Sequence, residues 1–209
     1  MVRIQDLEVQ YQGENPIHFP DFECHSDRPL LVLGSSGSGK SSLLHMIAGL
    51  IKPRKGKIWI DDTEITGLSQ SEMDVFRRKK IGVALQKSVF IHSLTVLENL
   101  MYFQYFSHAK QNESECMDWL TKLGLENKAD QKAFTLSQGE QQRVNFIRAL
   151  MKKPSLLLAD EPSSSLDDEN AIMVARLLLH QADQIGTTLI VVTHDHRLSS
   201  MFSNSMTLV

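Results

Sequence analysis

The sequence predicts an α/β fold built on a mostly parallel β-sheet. Two observations lead to this prediction: short, wholly apolar segments recur along the chain, and amphipathic segments of helical length separate them. Strands that are buried on both faces have continuous apolar sequences, which is typical of parallel sheets covered by helices. With 209 residues, of which 42% are hydrophobic and 22% charged, the chain is long enough to fold as one domain with an ordinary core.

The apolar segments are predicted as the strands of this sheet. Four of them, 29–33, 81–85, 156–159 and 188–192, are short and uniformly apolar, as expected of buried strands. The segment 57–60 alternates apolar and polar residues instead, which indicates a strand near an edge of a sheet.

Helices are predicted at 40–51, 137–153 and 168–185, where apolar residues recur with helical spacing. A proline shortly after each of the first two segments ends those helices. Gly186 is placed as the C-cap of the third helix, where a left-handed backbone is favoured.

The segment 87–134 contains no apolar run of buried-strand type and is predicted to be a helical subdomain inserted into the sheet core. Within it, Thr95-Val96-Leu97-Glu98 has the pattern of a capping box, which marks the start of a helix. We therefore predict a single domain over 1–209, in which 1–86 and 135–209 form the core.

Charge and cysteine spacing argue against several functional classes. The formal net charge is −3 at pH 7, so no general electrostatic attraction to nucleic acid is expected. The basic run Arg77-Arg78-Lys79-Lys80 is interpreted as the solvated end of a helix. Cys24 and Cys116 lie far apart and match no metal-binding or redox spacing.

A glycine-rich loop follows the first buried strand and opens a helix. Its residues are Gly34, Ser35, Ser36, Gly37, Ser38, Gly39, Lys40 and Ser41, and they fit the phosphate-loop pattern. The glycines let several backbone amides point at one anion, and the helix adds its positive N-terminal end. Lys40 is predicted to neutralise phosphate charge and Ser41 to bind Mg²⁺, with Ser42 completing the nucleotide-binding segment.

Two carboxylates follow the apolar segment 156–159. Asp160 stands at the carboxyl end of that predicted strand, the edge at which parallel α/β sheets bind ligands. A carboxylate at this position can hold Mg²⁺ directly or through water. The next residue, Glu161, is predicted to polarise an attacking water as a general base.

The segment Leu136-Ser137-Gln138-Gly139-Glu140-Gln141-Gln142-Arg143 resembles the signature sequence of ATP-binding cassette (ABC) ATPases. The phosphate loop, the signature and the Asp-Glu strand follow the order and approximate separations of that family, so the resemblance covers nearly the whole chain. It implies a phosphate-loop NTPase core with a mostly parallel sheet, an N-terminal antiparallel β portion and an inserted helical subdomain. Ser137 and Glu140 alone also match a capping box, so the signature taken by itself indicates no more than a helix start.

The resemblance assigns roles to three further residues and one loop. Tyr11 stands where the family has an aromatic that stacks on adenine, and Gln86 where a glutamine reaches Mg²⁺ and the attacking water. His194 matches the histidine that contacts the γ-phosphate, and Ser164-Ser165-Leu166-Asp167 resembles the loop that crosses the dimer interface. The implied ligands are ATP and Mg²⁺, with Ser41, Gln86 and Asp160 on the metal, and with Lys40, Gln86, Glu161 and His194 as catalytic residues.

Two protein partners and a location are implied by the same resemblance. Family members bind ATP between two copies arranged head to tail, so Ser137 and Gly139 serve the nucleotide of the second copy. The second partner is an integral membrane permease that contacts 87–106, and no nucleic acid is expected. The alternative is that the aromatic residues of 87–106 fill the core of the helical subdomain. A permease partner places the chain peripherally on the cytoplasmic face of the membrane.

The segment Leu94-Thr95-Val96-Leu97-Glu98-Asn99 resembles the branch that includes lipoprotein-release, macrolide-exporter and cell-division ATPases. This implies export, lipoprotein release or mechanotransmission.

The signature departs from the family pattern at two positions. Gln138 replaces the first glycine of the signature, and Glu140 replaces its glutamine. If Gln138 leaves the amide of Gly139 free, activity survives, and if it crowds the phosphate, hydrolysis is weak. The alternative function is therefore a cell-division-type or non-transport regulatory ATPase.

Overall fold

The computed structural model describes residues 1–13, 15–86, 89–107, 110–164 and 166–208. These residues form ten β-strands and six α-helices arranged around two sheets. The strands are β1 (Val2–Val9), β2 (Ile17–His18), β3 (Phe22–Cys24), β4 (Leu30–Gly34), β5 (Lys55–Ile60), β6 (Thr63–Glu64), β7 (Ile81–Ala84), β8 (Leu156–Asp160), β9 (Thr188–Thr193) and β10 (Asn204–Leu208). The helices are α1 (Lys40–Ile47), α2 (Gln70–Lys80), α3 (Val96–Phe106), α4 (Glu113–Lys122), α5 (Gln138–Leu150) and α6 (Asp168–Ile185).

The larger core is a parallel sheet in the order β10-β4-β9-β8-β7, and every neighbouring pair in it is parallel. This confirms the predicted fold class, and β4, β7, β8 and β9 coincide with the four predicted buried strands to within a residue at each end. Strand β10 lies outside the predicted strands. Its residues are largely polar, so the sequence shows no apolar run there.

The second sheet is antiparallel, in the order β2-β1-β5-β6, with β3 also pairing with β1. It confirms the N-terminal antiparallel portion that the family resemblance implies. The residue pattern alone did not predict β1. Its alternation of buried and exposed residues breaks between Gln5 and Glu8, where the pairing with β5 shifts register. Asp6, inside that irregular stretch, has a left-handed backbone with φ 50°.

Hydrophobic residues cover both faces of the parallel sheet. Leu30 and Val32 of β4 pack with α1 and the antiparallel sheet, whereas Leu31 and Leu33 pack with α3, α4, α5 and α6. Because successive side chains of a strand point to opposite faces, the uniformly apolar strands follow directly from this two-sided burial. None of the described helices combines the length and the apolar composition needed to cross a membrane.

Helix ends differ from the predictions where the backbone turns left-handed. Helix α1 ends at Ile47 instead of residue 51, just before Gly49 with φ 63°, and α5 ends at Leu150, before Lys153 with φ 47°. The predicted capping box at Thr95 and the C-cap at Gly186 are confirmed.

The basic run at the end of α2 is not simply solvated as predicted. Arg77 donates from Nε to the carbonyl of Ala48 over 2.9 Å and from Nη2 to that of Gly49 over 2.6 Å. Its guanidinium therefore caps the carboxyl end of α1, where free carbonyls and the helix dipole favour a cation.

Candidate nucleotide-binding site

A cavity of about 610 Å³ opens at the carboxyl ends of β4, β7, β8 and β9. It brings together residues that lie far apart in the sequence, because parallel strands end at the same edge of the sheet. Its lining consists of Tyr11, Ile17, Ser35, Ser36, Gly37, Gly39, Lys40, Ser41, Ser42, Gln86, Glu161 and His194. Apart from Ile17, all of these were predicted as site residues from the sequence.

The loop between β4 and α1 has the backbone that an anion site requires. Gly37 and Gly39 adopt left-handed conformations with φ 86° and 89°, which residues with a Cβ rarely adopt. Gly34 is required for a different reason: a Cβ at this position would lie 2.4 Å from Ser38 Oγ and 2.9 Å from the carbonyl oxygen of Leu208. The loop leads directly into α1, and the N-terminal end of this helix carries the positive end of the helix dipole.

Lys40 is held at the base of this loop. Its Nζ donates to the carbonyls of Gly34 and Ser35, each over 2.8 Å, and lies 3.9 Å from Oε1 of Glu161. The side chain is buried, so its charge acts in a partly desolvated cavity. The ammonium is therefore placed to meet an anion that enters the loop.

Asp160 ends β8 directly behind the loop and fits a metal ion. It is buried, and its Oδ1 has no hydrogen-bond partner among the described residues. Burial is the main cause that raises the pKa of Asp160, and the adjacent Glu161 adds to it, whereas His45, Lys40 and a hydrogen bond with Ser41 act in the opposite direction. A cation beside this oxygen would satisfy the unpaired atom and favour the ionised carboxylate.

The donor set around Asp160 suits Mg²⁺ better than a transition metal. No cluster of three or more His, Cys, Asp or Glu side chains capable of holding a metal occurs in the described part of the chain. A site that uses Ser41, Gln86 and Asp160 relies on hydroxyl, amide and carboxylate oxygens, completed by water and phosphate, as Mg²⁺ prefers.

Glu161 projects into the cavity from a strained backbone. Its φ is 48°, an uncommon value for a residue with a side chain. The carboxylate accepts from Thr193 Oγ1 over 2.8 Å and from the amide of His194 over 3.2 Å. The imidazole Nδ1 of His194 lies 3.0 Å from Oε1 of the same carboxylate. Residues at the end of β9 thus orient the side chain that follows β8.

Tyr11 and Gln86 occupy two other walls of the cavity. The Tyr11 hydroxyl lies 2.9 Å from Ser42 Oγ, and the side chain is 42% exposed, so the ring is accessible to a ligand. Gln86 follows β7 and donates from Nε2 to Ser164 Oγ over 3.2 Å. This contact joins the predicted water-orienting residue to the loop that the resemblance places at a dimer interface. Ser165 of that loop lies outside the described residues.

The signature lies elsewhere. Ser137 and Gly139 are not part of the cavity lining and stand at the start of α5, where Ser137 and Glu140 form a complete capping box. A Cβ on Gly139 would come within 3.6 Å of Leu166 Cδ2. Gln138 is exposed. The signature of one chain therefore does not reach the nucleotide cavity of the same chain.

A second polar network beside the cavity was not predicted. Ser163 Oγ donates to Asp195 over 2.7 Å, and Arg197 donates to both carboxylate oxygens of Asp195 over 2.8 Å each. Burial raises the pKa of Asp195, but the hydrogen bonds from Arg197 and Ser163 outweigh it and hold that pKa at about 2. Arg197 also pairs with Asp168 at the start of α6. Nothing in the residue pattern indicated these contacts, because they join segments that are distant in the chain.

The fold and the site together define a phosphate-loop nucleotide-binding protein. A glycine loop leads into a helix N-terminus, a buried lysine faces the loop, and two carboxylates follow the neighbouring strand. These are the parts with which such proteins bind a nucleotide and its metal ion.

Comparison with known proteins places the chain within this class. Residues 18–164 match the family model described as ABC transporter. The chain is 34% identical over 203 residues to the methionine import ATP-binding protein MetN of Carboxydothermus hydrogenoformans, covering 95% of this chain and 60% of the relative. It is 31% identical over 211 residues to the lipoprotein-releasing system ATP-binding protein LolD of Bacteroides thetaiotaomicron, covering 100% of this chain and 97% of the relative. The chain thus spans less than two thirds of that MetN and nearly all of that LolD.

A solved structure gives the same result. The chain superposes with a TM-score of 0.87 on a dimeric ATP-binding cassette in a post-hydrolysis state bound to ADP and Pi. The two sequences are 31% identical, and the match covers 100% of this chain and 94% of the other. The chain belongs to the ABC transporter family and is an ATPase of that family. The family assignment made from the signature and the phosphate loop is confirmed.

Proposed function

We propose that the chain is the ATP-hydrolysing subunit of a membrane ABC transporter complex, which binds two ATP between two head-to-tail copies and drives motion of a membrane partner. The observation that carries this proposal is the position of Glu161, whose carboxylate lies 3.9 Å from Lys40 and 3.0 Å from His194 inside the cavity. A base, a phosphate-neutralising cation and an imidazole therefore face one space that opens on the phosphate loop.

Within the cavity the residues divide the work of nucleotide binding. The loop amides from Gly34 to Ser42 cradle the phosphates, Lys40 neutralises their charge, and Tyr11 stacks on the adenine. Ser41, Gln86 and Asp160 hold Mg²⁺, which when bound screens the negative charge of the phosphate oxygens.

Hydrolysis rests on Glu161. Its carboxylate, oriented by Thr193 and His194, takes a proton from the water that attacks the γ-phosphate. Gln86 positions that water from the opposite wall, and His194 turns from Glu161 to the γ-phosphate once the nucleotide is bound. Loss of the γ-phosphate then removes contacts that hold the two copies together.

A second copy is needed to complete the site. Ser137 and Gly139 lie at an exposed helix N-terminus outside the cavity of their own chain. A two-fold, head-to-tail arrangement brings the signature of one copy over the nucleotide of the other, where its amides add an anion site. The dimeric form of the similar solved cassette supports this arrangement.

The permease partner contacts the segment 87–106, which begins the helical subdomain proposed for 87–134. Val89, Tyr105 and Phe106 are 71%, 64% and 61% exposed, so these side chains do not fill a core. Large exposed apolar side chains that lie close together indicate an interaction surface. Such a partner places the chain on the cytoplasmic face of the membrane as a peripheral subunit.

For the transport process we propose export, lipoprotein release or mechanotransmission. The support is the motif Leu94–Asn99 together with the similarity to LolD over almost the full length of both chains. The second candidate is a cell-division-type or regulatory ATPase with weak hydrolysis, which is favoured by Gln138 in the signature.

The proposal is tested by ATPase assays on the purified chain, alone and with the membrane protein that co-purifies with it from its native cells. We expect Mg²⁺-dependent hydrolysis whose specific activity rises with protein concentration, since two copies form each site, and a further rise with the membrane subunit. Activity per molecule that does not depend on concentration would contradict the shared site. Hydrolysis that stays at the detection limit with the membrane subunit present would favour the regulatory candidate.

A further inference from the structure

The guanidinium of Arg197, three residues after His194, bridges two segments of the chain. On one side, Nε and Nη2 each donate to a carboxylate oxygen of Asp195 over 2.8 Å. On the other side, Nη1 pairs with Asp168 at the start of α6, and Nη1 and Nη2 both lie 3.4 Å from the carbonyl oxygen of Leu166. Arg197 therefore joins the segment that follows β9 to the segment that begins α6.

This bridge holds the loop 164–167, which we call the interface loop because the family resemblance places it at the contact between two copies. Immediately before the loop, Ser163 Oγ donates to Asp195 over 2.7 Å. Immediately after the loop, Asp168 pairs with Arg197. The interface loop is therefore tied at both ends to the residues that follow β9.

The residues tied to the interface loop also orient the candidate base. The Asp195 amide donates to Thr193 Oγ1 over 3.0 Å, and Thr193 Oγ1 donates to the Glu161 carboxylate over 2.8 Å. The loop itself contacts the other wall of the cavity, where Ser164 Oγ accepts from Gln86 Nε2 over 3.2 Å. A displacement of the interface loop would therefore reach both the base and the water-orienting glutamine.

The pair of Arg197 and Asp195 differs from an ordinary surface ion pair. Asp195 is buried, and although burial raises its pKa, the hydrogen bonds from Arg197 and Ser163 hold that pKa at about 2. The carboxylate is therefore ionised at the neutral pH of an ATPase assay. The planar guanidinium can hold two carboxylates and a carbonyl in fixed directions, which a lysine ammonium cannot do.

We propose that Arg197 is a positioning residue of the shared ATP site, which transmits the position of the interface loop to the residues that orient Glu161. This inference rests on the proposed function, because the loop meets a second copy only in the head-to-tail dimer. Arg197 does not line the nucleotide cavity, so it acts through Asp195 and not on the nucleotide.

Asp168→Asn tests the bridge on the side of the interface loop and leaves the pair of Arg197 and Asp195 in place. Asp168 is exposed, and Asp167 provides the side-chain cap of α6, so the variant should fold. We expect kcat to fall by about fivefold or more and the KM for ATP to stay within about twofold. Glu169→Gln is the matched control, because it removes the same charge from the neighbouring exposed position of the same helical turn, and it should leave kcat unchanged.

A double variant separates positioning from stability. Arg197→Gln and Asp168→Asn break the same bridge, so the kcat of the double variant should lie within about twofold of that of Arg197→Gln alone. Asp168→Glu restores the carboxylate and should recover about half or more of the wild-type kcat. Melting temperatures are measured in parallel, and that of Asp168→Asn should stay within about 2 °C of the wild type, since an exposed substitution changes stability little.

Dimer formation provides a measurement that a purely stabilising role would not change. In a Glu161→Gln background with ATP and Mg²⁺, adding Asp168→Asn should raise the protein concentration at half-maximal dimer formation by about fivefold or more, because the interface loop is no longer held in position. Adding Glu169→Gln instead should leave that concentration unchanged. Analytical ultracentrifugation measures both, and circular dichroism verifies that each monomer is folded.

The outcomes separate this inference from the function on which it rests. If Asp168→Asn hydrolyses ATP and dimerises as Glu169→Gln does, Arg197 only stabilises the fold, so the inference is wrong and the proposed function stands. Losses of kcat that multiply in the double variant would also overturn the inference, because the two residues would then act separately. If the wild type does not hydrolyse ATP and Glu161→Gln forms no ATP-bound dimer, both proposals fail.

Discussion

The imidazole Nδ1 of His194 lies 3.0 Å from Oε1 of Glu161, so the residue after β9 holds the carboxylate that follows β8. Thr193 Oγ1 and the His194 amide donate to the same carboxylate, and Lys40 Nζ lies 3.9 Å away. The candidate base is therefore oriented by residues of its own chain. Entry of a γ-phosphate offers both Lys40 and His194 a stronger anion, which would leave Glu161 free to act on water.

Glu161→Gln should retain ATP binding and lower the turnover rate by about 10²–10⁴-fold, because an amide cannot accept the proton of the attacking water. The bound nucleotide then stays intact, and we expect the variant to accumulate as an ATP-bound dimer. Size-exclusion chromatography with ATP and a single-turnover assay measure both effects. Turnover close to that of the wild type would remove Glu161 from the role of base.

His194→Ala should lower kcat by about tenfold or more, because it removes one contact that orients Glu161 and one that is proposed to reach the γ-phosphate. The side chain is exposed, so the melting temperature should change little. His196→Ala is the matched control, since His196 is an exposed histidine two residues away that does not line the cavity. Equal losses of activity in the two variants would contradict a specific role for His194.

Arg197→Gln should lower the free energy of unfolding by about 1–2 kcal/mol at pH 7, because Asp195 loses its main cationic partner. The folded pKa of Asp195 lies near 2, below the ordinary 3.8. The stabilisation is therefore complete above about pH 4 and disappears as the pH falls towards 2. Urea unfolding at pH 7 and pH 3 should show a smaller difference between variant and wild type at pH 3.

The exposed Arg176 on α6 offers a control for this measurement, and Arg176→Gln should leave the unfolding free energy within about 0.5 kcal/mol of the wild type. If Arg197→Gln lowers the free energy of unfolding by the same amount at both pH values, the ionised Asp195 is not the source of the lost stability.

Tyr11→Ala should raise the KM for ATP by about tenfold, because stacking of an aromatic ring on a base is worth roughly 1–3 kcal/mol. Tyr11→Phe keeps the ring and loses only the contact between its hydroxyl and Ser42. We expect its KM to stay within about threefold of the wild type. A rise in KM that is as large in Tyr11→Phe as in Tyr11→Ala would assign the role to the hydroxyl rather than to stacking.

Gln138→Gly restores the glycine that the family usually has in the signature. The Gln138 side chain is exposed in the first turn of α5, so we expect it to leave the Gly139 amide accessible and the turnover of the variant to stay within about threefold. The melting temperature should fall slightly, because glycine disfavours a helix by about 1 kcal/mol. A rise in turnover of tenfold or more would show that Gln138 crowds the phosphate and would favour the regulatory candidate.

Local sequence patterns predicted the phosphate loop and the two carboxylates of the site. Gly34 to Ser41 is a contiguous loop whose backbone requirements are visible in the residues themselves, and Asp160 and Glu161 directly follow an apolar strand. Tyr11, Gln86 and His194 have no such local signature, and only the family resemblance singled them out. Their common cavity arises because β4, β7, β8 and β9 are parallel and end at one edge.

The fold class, the approximate bounds of the four buried strands and the phosphate loop follow from the sequence, because burial on both faces and glycine spacing are local properties of the chain. The contact between Ser163 and Asp195 and the position of Arg148 beside the ring of Phe103 became visible only in the folded chain. These depend on packing between segments that are far apart in the chain, where a one-residue change in helix end or strand register redirects a side chain. The sequence shows which residues are charged, but the packing of the chain determines which of them contact one another.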